Sequence, residues 1–173
     1  ILSEEQVQRM LALETNARNH ALLRLLYAAG LRCSELCGLR WRDVQPKGSE
    51  AVLQVYGKGN KTRYVLISRG TFDELRRLGG ESVDSDAPVF VSRKDGPLDA
   101  SQVHRIVKAA AKRAGLPGDV SPHWLRHAHA SHALDRGAPI SLVQTTLGHA
   151  SVQTTGRYLH ARPNESSGRY LSV

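Results

Sequence analysis

The sequence predicts a mostly α-helical α+β domain that contains one small antiparallel β-sheet. Apolar residues recur at helical spacing along most of the chain, and capping residues and glycines bound these segments. One stretch instead has two runs of β-branched residues around a Gly/Asn/Lys-rich turn. At 173 residues, of which 40% are hydrophobic and 23% charged, the chain can bury a sizeable core. Residues 1–173 are therefore expected to form one domain.

The first part of the chain is predicted to form three helices and a β-hairpin. Ser3 and Gln6 have the spacing of a capping box, which places a helix start at Ser3. Gly30 follows an apolar face at helical spacing and is expected to end the second helix. The predicted elements are helices over residues 3–13, 17–29 and 34–39 and hairpin strands over residues 52–56 and 63–67.

The second part of the chain is predicted to be almost entirely helical. Thr71 with Glu74 has capping-box spacing, and Ser101 and Ser121 are further candidate N-caps. The predicted elements are helices over residues 71–79, 101–114, 121–137, 139–147 and 151–160, a short strand over residues 89–92, and a polar tail, residues 161–173, that is extended or exchanged with another subunit.

The charge balance indicates a polyanionic partner. Lys and Arg outnumber Asp and Glu 24 to 16, which gives a net charge of +8 and suits nucleic acid or an anionic membrane. No apolar run is long enough to span a bilayer, and the N-terminus has no secretory signal pattern. Cys33 and Cys37 are expected to be small buried hydrophobic residues without a disulfide or zinc, so a cytoplasmic location is predicted.

Residues 121–132, "SPHWLRHAHASH", contain four histidines and raise the question of a metal site. His123 and His127 have the spacing of two helical ligands, but Trp124 stands where a metalloprotease has its glutamate. Arg126 would repel a dication, and no nearby carboxylate completes a ligand set. His123 and Arg126, on one face of a helix start, form instead a donor pair for a phosphate or carboxylate. No metal and no cofactor are therefore expected.

Three other segments carry basic or nucleophilic side chains at turns. Arg32 lies between a helix-ending glycine and the next helix, and Lys58 lies in the hairpin turn. His149 precedes a predicted helix on which Tyr158 follows nine residues later. A lone instance of any of these would be an ordinary surface residue.

Together these segments resemble the catalytic domain of the tyrosine recombinase, or phage integrase, family. "AGLRCSEL" resembles the family's first arginine box and "YGKGNKTR" its hairpin lysine segment. "HWLRHAHASHAL" and "LGHASVQTTGRY" resemble its two C-terminal boxes, in the family order. The resemblance covers residues 2–160 and implies the tyrosine recombinase catalytic-domain fold with six site residues: Arg32, Lys58, His123, Arg126, His149 and Tyr158.

The resemblance also implies a supporting residue and shows departures from the family pattern. Glu35 matches an acidic position that supports Arg32. Leu66 stands where the family often has proline, and His129 where it usually has an aromatic residue, so His129 is expected to pack. The N-terminal DNA-binding domain that such enzymes carry is not present in these residues. The chain is therefore expected to be a C-terminal catalytic domain.

The implied reaction breaks and rejoins DNA through a covalent 3′-phosphotyrosyl intermediate, without metal or ATP. The resemblance makes Tyr158 the nucleophile, and Tyr170 in the tail is its one serious rival. Arg32 and Arg126 are suited to hold the nonbridging oxygens, and His149 to donate a further hydrogen bond. For the remaining two residues, Lys58 is the candidate general acid, and His123 either a proton acceptor or a phosphate donor.

Site-specific recombination is the leading hypothesis for this sequence. A catalytically silent DNA-binding remnant and type IB topoisomerase-like relaxation remain alternatives, whereas a metal-dependent hydrolase lacks the carboxylates it needs. The expected partner is double-stranded DNA. The resemblance implies a homotetramer on DNA for the full-length protein, whereas the isolated domain is expected to be a monomer.

Overall fold

A computed structural model of the chain describes residues 1–148 and 164–173, and the expected mostly helical fold with a small antiparallel sheet is confirmed. No helix within these residues is long and apolar enough to cross a membrane. The helices are α1 (Glu4–Leu13), α2 (Ala17–Ala28), α3 (Cys33–Cys37), α4 (Arg69–Gly79), α5 (Ala100–Arg113), α6 (Pro122–Asp135) and α7 (Ile140–Leu147), and the strands are β1 (Val44–Lys47), β2 (Glu50–Tyr56) and β3 (Thr62–Ile67).

Helix α2 lies at the centre of the domain. Its residues from Ala21 to Ala28 are buried except for Arg24, and it packs against α4 on one side and α6 on another. Helix α1 begins at the predicted capping box, in which Ser3 and Gln6 exchange hydrogen bonds between side chain and backbone. Helix α1 also packs against α5, and apolar residues of all seven helices and of the sheet form one core.

The sheet has three antiparallel strands in the order β1–β2–β3, so one strand was missed from the sequence. The predicted hairpin is β2 and β3, whose register pairs Ala51 with Ile67 at one end and Tyr56 with Thr62 at the other. Strand β1 contains Pro46, which cannot donate to a ladder and argues against a strand in sequence. Proline is tolerated there because β1 is an edge strand.

Two predicted N-caps were wrong, by three residues for α4 and by two residues for α5. Helix α4 is capped by Ser68, whose Oγ accepts the backbone N–H of Thr71, whereas Thr71 itself lies buried inside the first turn. Helix α5 is capped by Asp99 in a capping box with Gln102, and Ser101 lies inside the helix. In both cases an equally good capping side chain two or three residues earlier takes the N-terminal position.

The predicted strand over residues 89–92 does not form. Val89 and Phe90 are buried, but the segment makes only isolated bridges, between Arg40 and Pro88 and between Val91 and Pro97. The apolar run therefore contributes to the core and does not extend the sheet.

The two cysteines are the first and last residues of α3. Cys33 and Cys37 are free and only half-buried, packed against the edge of the core, so the expectation that both are buried was too strong. Helix α3 has only five residues and lies at the domain surface, which leaves one side of each thiol partly open.

Helix α6 binds the N-terminal segment through His132. Its Nδ1 lies 2.7 Å from the Tyr27 hydroxyl and its Nε2 2.7 Å from the Leu2 carbonyl oxygen. Because a carbonyl can only accept, Nε2 carries the proton and Nδ1 accepts from tyrosine. His132 is therefore a buried packing residue.

The end of the chain returns to α6 through His129, which corrects the expectation of an extended or exchanged tail. Residues Ser167–Tyr170 form a 3-10 turn against α6 and α7, and Leu171 is buried. Nδ1 of the fully buried His129 lies 2.6 Å from the Tyr27 carbonyl oxygen, and its Nε2 lies 2.7 Å from Ser167 Oγ. The predicted helix over residues 151–160 lies outside the described residues.

The pKa of His129 leads to a prediction about stability. Burial lowers this pKa from 6.5 to about 4, and the charges of Arg126 and His132 add to the shift, although the hydrogen bond to Tyr27 opposes it. Between pH 6.5 and pH 4, His129 therefore becomes protonated in the unfolded chain but stays neutral in the folded chain. The free energy of unfolding falls as pH drops through this range. The slope is at most about 1.4 kcal/mol per pH unit.

We expect His129→Phe, which keeps an aromatic ring without a titrating nitrogen, to lose this slope in urea denaturation across the same pH window. The control is His104→Phe, at an exposed position of α5, which should keep it. A slope in His129→Phe as steep as that of the wild type would show that other groups carry the pH dependence.

Candidate active site

The first predicted site residue, Arg32, is placed by a tight turn after α2. Gly30 has φ +65°, and a Cβ there would also collide with the Leu147 side chain, so only glycine fits. Arg32 then precedes α3, and its backbone N–H donates to Glu35 Oε1 at 2.8 Å. Among the residues that the structure describes, its guanidinium makes one long contact, 3.5 Å from Nη1 to Glu35 Oε2, and its side chain is 31% exposed.

Glu35 is buried and is bound chiefly by Arg63 of β3. Nη1 and Nη2 of Arg63 lie 2.5 Å and 3.0 Å from the two carboxylate oxygens, the fork geometry of a strong ion pair. Burial would raise the pKa of Glu35, but the hydrogen bonds and charge of Arg63, together with Arg32, hold it below its usual value. Glu35 is therefore an anion with a fixed position.

Arg126 of α6 is buried, and two carbonyl oxygens at helix ends hold its guanidinium. Nη1 donates to the Gly30 carbonyl at 2.5 Å, just beyond α2, and Nη2 donates to the Leu147 carbonyl at 2.7 Å, at the end of α7. The C-terminal ends of both helices carry partial negative charge, which favours a cation there. Within residues 1–148 and 164–173, two of the five guanidinium N–H groups have these acceptors, which leaves three for another.

Arg32 and Arg63 contact Glu35, and Arg126 interacts electrostatically with all three; we refer to these four residues as the arginine cluster. Burial and the charges of Arg32 and Arg63 lower the pKa of Arg126 to about 10, so it stays charged at neutral pH. Three cations and one anion leave an excess of positive charge. Such an arrangement is suited to bind an anion at its open side, where Arg32 reaches the surface.

His123 lies on the first turn of α6, close enough to Arg32 and Arg126 to interact with their charges. Its exposed ring lies 4.3 Å from that of His127, centroid to centroid. Loss of hydration lowers the pKa of His123, and His127, Arg126 and Arg32 lower it further. A neutral imidazole beside the arginines is therefore the expected state at neutral pH, which suits a proton acceptor.

Lys58 lies in the β2–β3 turn and is exposed. The preceding residue, Gly57, lies against the cluster: a Cβ there would come within 3.2 Å of Glu35 Oε2. On the other side of the turn, Arg63 binds Glu35. The hairpin thus places Lys58 at the edge of the arginine cluster.

The structure therefore brings four of the six predicted site residues together: Arg32, Lys58, His123 and Arg126. His149 and Tyr158 lie outside the described residues. Tyr170, the rival nucleophile, is half-buried in the C-terminal 3-10 turn. Within residues 1–148 and 164–173, no group of three or more His, Cys, Asp or Glu side chains could hold a metal ion.

Arg63 is the site residue that sequence reasoning missed. Its position in β3 carried a signal, because Arg63 alternates with Val65 and Ile67, which are buried. A charged residue on that face needs a partner, and Glu35 provides it. The family resemblance of the hairpin points to its lysine and gives no role to Arg63.

Comparisons with known proteins identify the family to which the chain is similar. The Phage integrase family model matches residues 1–165. Tyrosine recombinase XerC of Nitrobacter winogradskyi is 41% identical over 82% of this chain and 45% of that protein. The crystal structure of XerA recombinase is 34% identical, with a TM-score of 0.74 over 97% of this chain and 62% of the other. The lambda integrase catalytic core shares the fold, with a TM-score of 0.67 at 22% identity, over 88% of this chain and 93% of that one. The chain spans about half the length of the XerC proteins it matches.

The contacts of the two arginines predict different effects on stability. Arg126→Ala leaves two carbonyl oxygens buried without donors, so we expect the free energy of unfolding to fall by about 2–3 kcal/mol. Arg32→Ala removes one long contact at a partly exposed side chain and should cost less than about 1 kcal/mol. Urea denaturation measures both, and equal losses would contradict the structural role assigned to Arg126.

Proposed function

Because the chain belongs to the phage integrase family, we propose that residues 1–173 are the catalytic domain of a site-specific tyrosine recombinase. In this proposal the domain cuts and rejoins double-stranded DNA through a 3′-phosphotyrosyl intermediate, and neither metal nor ATP takes part. The chain covers about half of the XerC proteins to which it is similar.

The observation that carries the proposal is the excess positive charge of the arginine cluster beside His123. Arg32 and Arg126 each have guanidinium N–H groups not used within the described residues, and Arg32 is partly exposed. A phosphodiester carries one negative charge spread over two nonbridging oxygens, which two arginines can bind by charge-assisted hydrogen bonds. As charge builds up on those oxygens in the transition state, such donors stabilise it further.

The proposed reaction is a transesterification in which every bond is exchanged for an equivalent one. The Tyr158 hydroxyl oxygen attacks phosphorus, the bond to the 5′ oxygen breaks, and a 3′-phosphotyrosyl ester forms. A free 5′ hydroxyl leaves and later attacks the ester in reverse, restoring the DNA and the tyrosine. The energy of the original bond is kept, so rejoining needs no ATP.

Two protons must move during the forward step. We assign removal of the phenolic proton to His123, whose lowered pKa supports a neutral ring. We assign Lys58 as the donor to the leaving 5′ oxygen, because the hairpin turn carries it at the edge of the cluster. His149 would supply a further hydrogen bond to the phosphate.

The proposed partner is double-stranded DNA in the cytoplasm. A net charge of +8 is favourable for contacts with the phosphate backbone, and binding should weaken steeply as salt rises. The proposed assembly on DNA is a homotetramer of the full-length protein, whereas this domain alone is proposed to be a monomer.

The nucleophile can be tested with a nicked suicide DNA substrate in the presence of EDTA. We expect the wild-type chain to form a covalent protein–DNA adduct, visible as a band shift in denaturing gels, since departure of the short nicked fragment prevents rejoining. Tyr158→Phe should form none, because the attacking oxygen is missing. The control Tyr170→Phe should retain the adduct.

Other outcomes of that experiment separate the alternatives. An adduct that persists in Tyr158→Phe would show that Tyr158 is not the nucleophile. Cleavage abolished by EDTA would point to a metal-dependent hydrolase. DNA binding in fluorescence anisotropy without any adduct would indicate a silent DNA-binding remnant. Relaxation of supercoiled plasmid without recombinant products would favour a topoisomerase-like role.

The role of Lys58 can be tested by changing the leaving group. We expect Lys58→Ala to slow adduct formation by roughly 10²–10⁴ on ordinary DNA, as for loss of a general acid. A substrate with sulfur in place of the bridging 5′ oxygen has a leaving group that needs no protonation, so it should restore most of the rate. Lys61→Ala, at the far end of the same turn, is the control and should behave alike on both substrates. If sulfur gave Lys58→Ala no recovery, Lys58 would not be the acid.

A further inference from the structure

Arg63 shares Glu35 with Arg32, and it binds the carbonyl of Thr146 next to the Leu147 carbonyl that binds Arg126. It is only 13% exposed, and its guanidinium contacts Glu35 of α3 and the Thr146 carbonyl of α7. We infer that Arg63 is a positioning residue that holds the Glu35 carboxylate away from Arg32 and so keeps the Arg32 guanidinium available for DNA phosphate. This inference rests on the proposed function.

Glu35 is bound more closely by Arg63 than by the Arg32 guanidinium. Both carboxylate oxygens of Glu35 are bound by Arg63, at 2.5 Å and 3.0 Å, whereas the Arg32 guanidinium reaches one of them only at 3.5 Å. The Arg32 backbone N–H, by contrast, donates to the same carboxylate at 2.8 Å. Glu35 therefore binds the main chain of Arg32 closely and its guanidinium only weakly.

Arg63 is held too firmly to act as a phosphate ligand itself. Three of its donors contact protein oxygens, because Nε donates to the Thr146 carbonyl at 2.9 Å while Nη1 and Nη2 bind Glu35. Gly148 also lies against its side chain, since a Cβ there would come within 3.0 Å of the Arg63 Cδ. Its charge is thus directed inward, which separates its role from that of Arg32.

Loss of Arg63 would leave a buried carboxylate without its main partner. The Glu35 side chain is 1% exposed, so water cannot replace the guanidinium. Arg32 is already in contact, three residues away at the start of the same helix, and can shorten its 3.5 Å distance by a small rotation. An arginine drawn into that ion pair has fewer N–H groups for an incoming phosphate.

Double substitution distinguishes this role from a general loss of structure. If Glu35 harms the site once Arg63 is gone, then removing the charge of Glu35 as well should repair it. If Arg63 only supports the hairpin, the second substitution should not help, or should add to the damage. The matched control is Arg24→Gln, which breaks a similar half-buried pair with Glu74, between α2 and α4.

Two measurements on the whole chain test the inference. The first is the rate of adduct formation on the suicide substrate by the wild type, Arg63→Gln, Glu35→Gln and the double variant. The second is the rate at which phenylglyoxal modifies Arg32, followed by peptide mass spectrometry, which needs neither DNA nor catalysis. A guanidinium in a close ion pair reacts more slowly with this reagent than a free one.

We expect Arg63→Gln to slow adduct formation by on the order of 10–100-fold, the scale for weakening one transition-state donor. Modification of Arg32 should slow in the same variant. The double variant should recover both rates to the level of Glu35→Gln, and Arg24→Gln should change neither. A double variant as slow as Arg63→Gln, or unchanged modification of Arg32 in Arg63→Gln, would overturn the inference. Absence of an adduct in the wild type would refute the proposed function instead, and the modification rates would still decide the role of Arg63.

Discussion

The fold around the site depends on the burial of the Arg126 charge. A buried guanidinium must be compensated, and here the compensation comes from carbonyl oxygens at the ends of α2 and α7. The two helices must therefore end at the same point in space. Gly30, with its positive φ, makes the α2 end possible and also lets the Leu147 side chain approach. Since carbonyl dipoles satisfy Arg126 without a carboxylate, its positive charge is not neutralised and remains available at the site.

The single carboxylate of the arginine cluster organises the residues that Arg126 does not reach. Glu35 joins α3 to β3 through Arg63, and Arg63 joins β3 to α7 through the Thr146 carbonyl. The hairpin turn, the start of α3 and the end of α7 are thus linked by one ion pair that is almost fully buried. A buried pair of this kind contributes more to a defined geometry than to net stability, because desolvation offsets much of its attraction.

The sequence was sufficient for the elements that have strong local signals and insufficient for those set by tertiary contacts. The capping box at Ser3 and the glycine at position 30 gave helix ends correctly. Strand β1 was missed because its proline is acceptable only at a sheet edge, and edge position is not local information. From residue type and motif, the family resemblance named the candidate site residues Arg32, Lys58 and the buried Arg126. It did not find Arg63, whose role depends on which carboxylate lies opposite it in the fold.

The histidine-rich helix α6 shows why composition alone misleads about chemistry. His123 and His127 lie four residues apart on the exposed face, whereas His129 and His132 lie on the buried face, since side chains rotate by about 100° per residue. The buried pair uses both nitrogens of each ring. His132 binds the Tyr27 hydroxyl and the Leu2 carbonyl oxygen, and His129 binds the Tyr27 carbonyl oxygen and Ser167 Oγ. Those rings have no lone pair left for a metal, and the exposed pair lies beside the positive arginine cluster. Histidine therefore has a structural role on the buried face of α6 and is accessible on the exposed face. The neighbouring Arg126, not the number of histidines, determines that the start of this helix favours a negatively charged ligand.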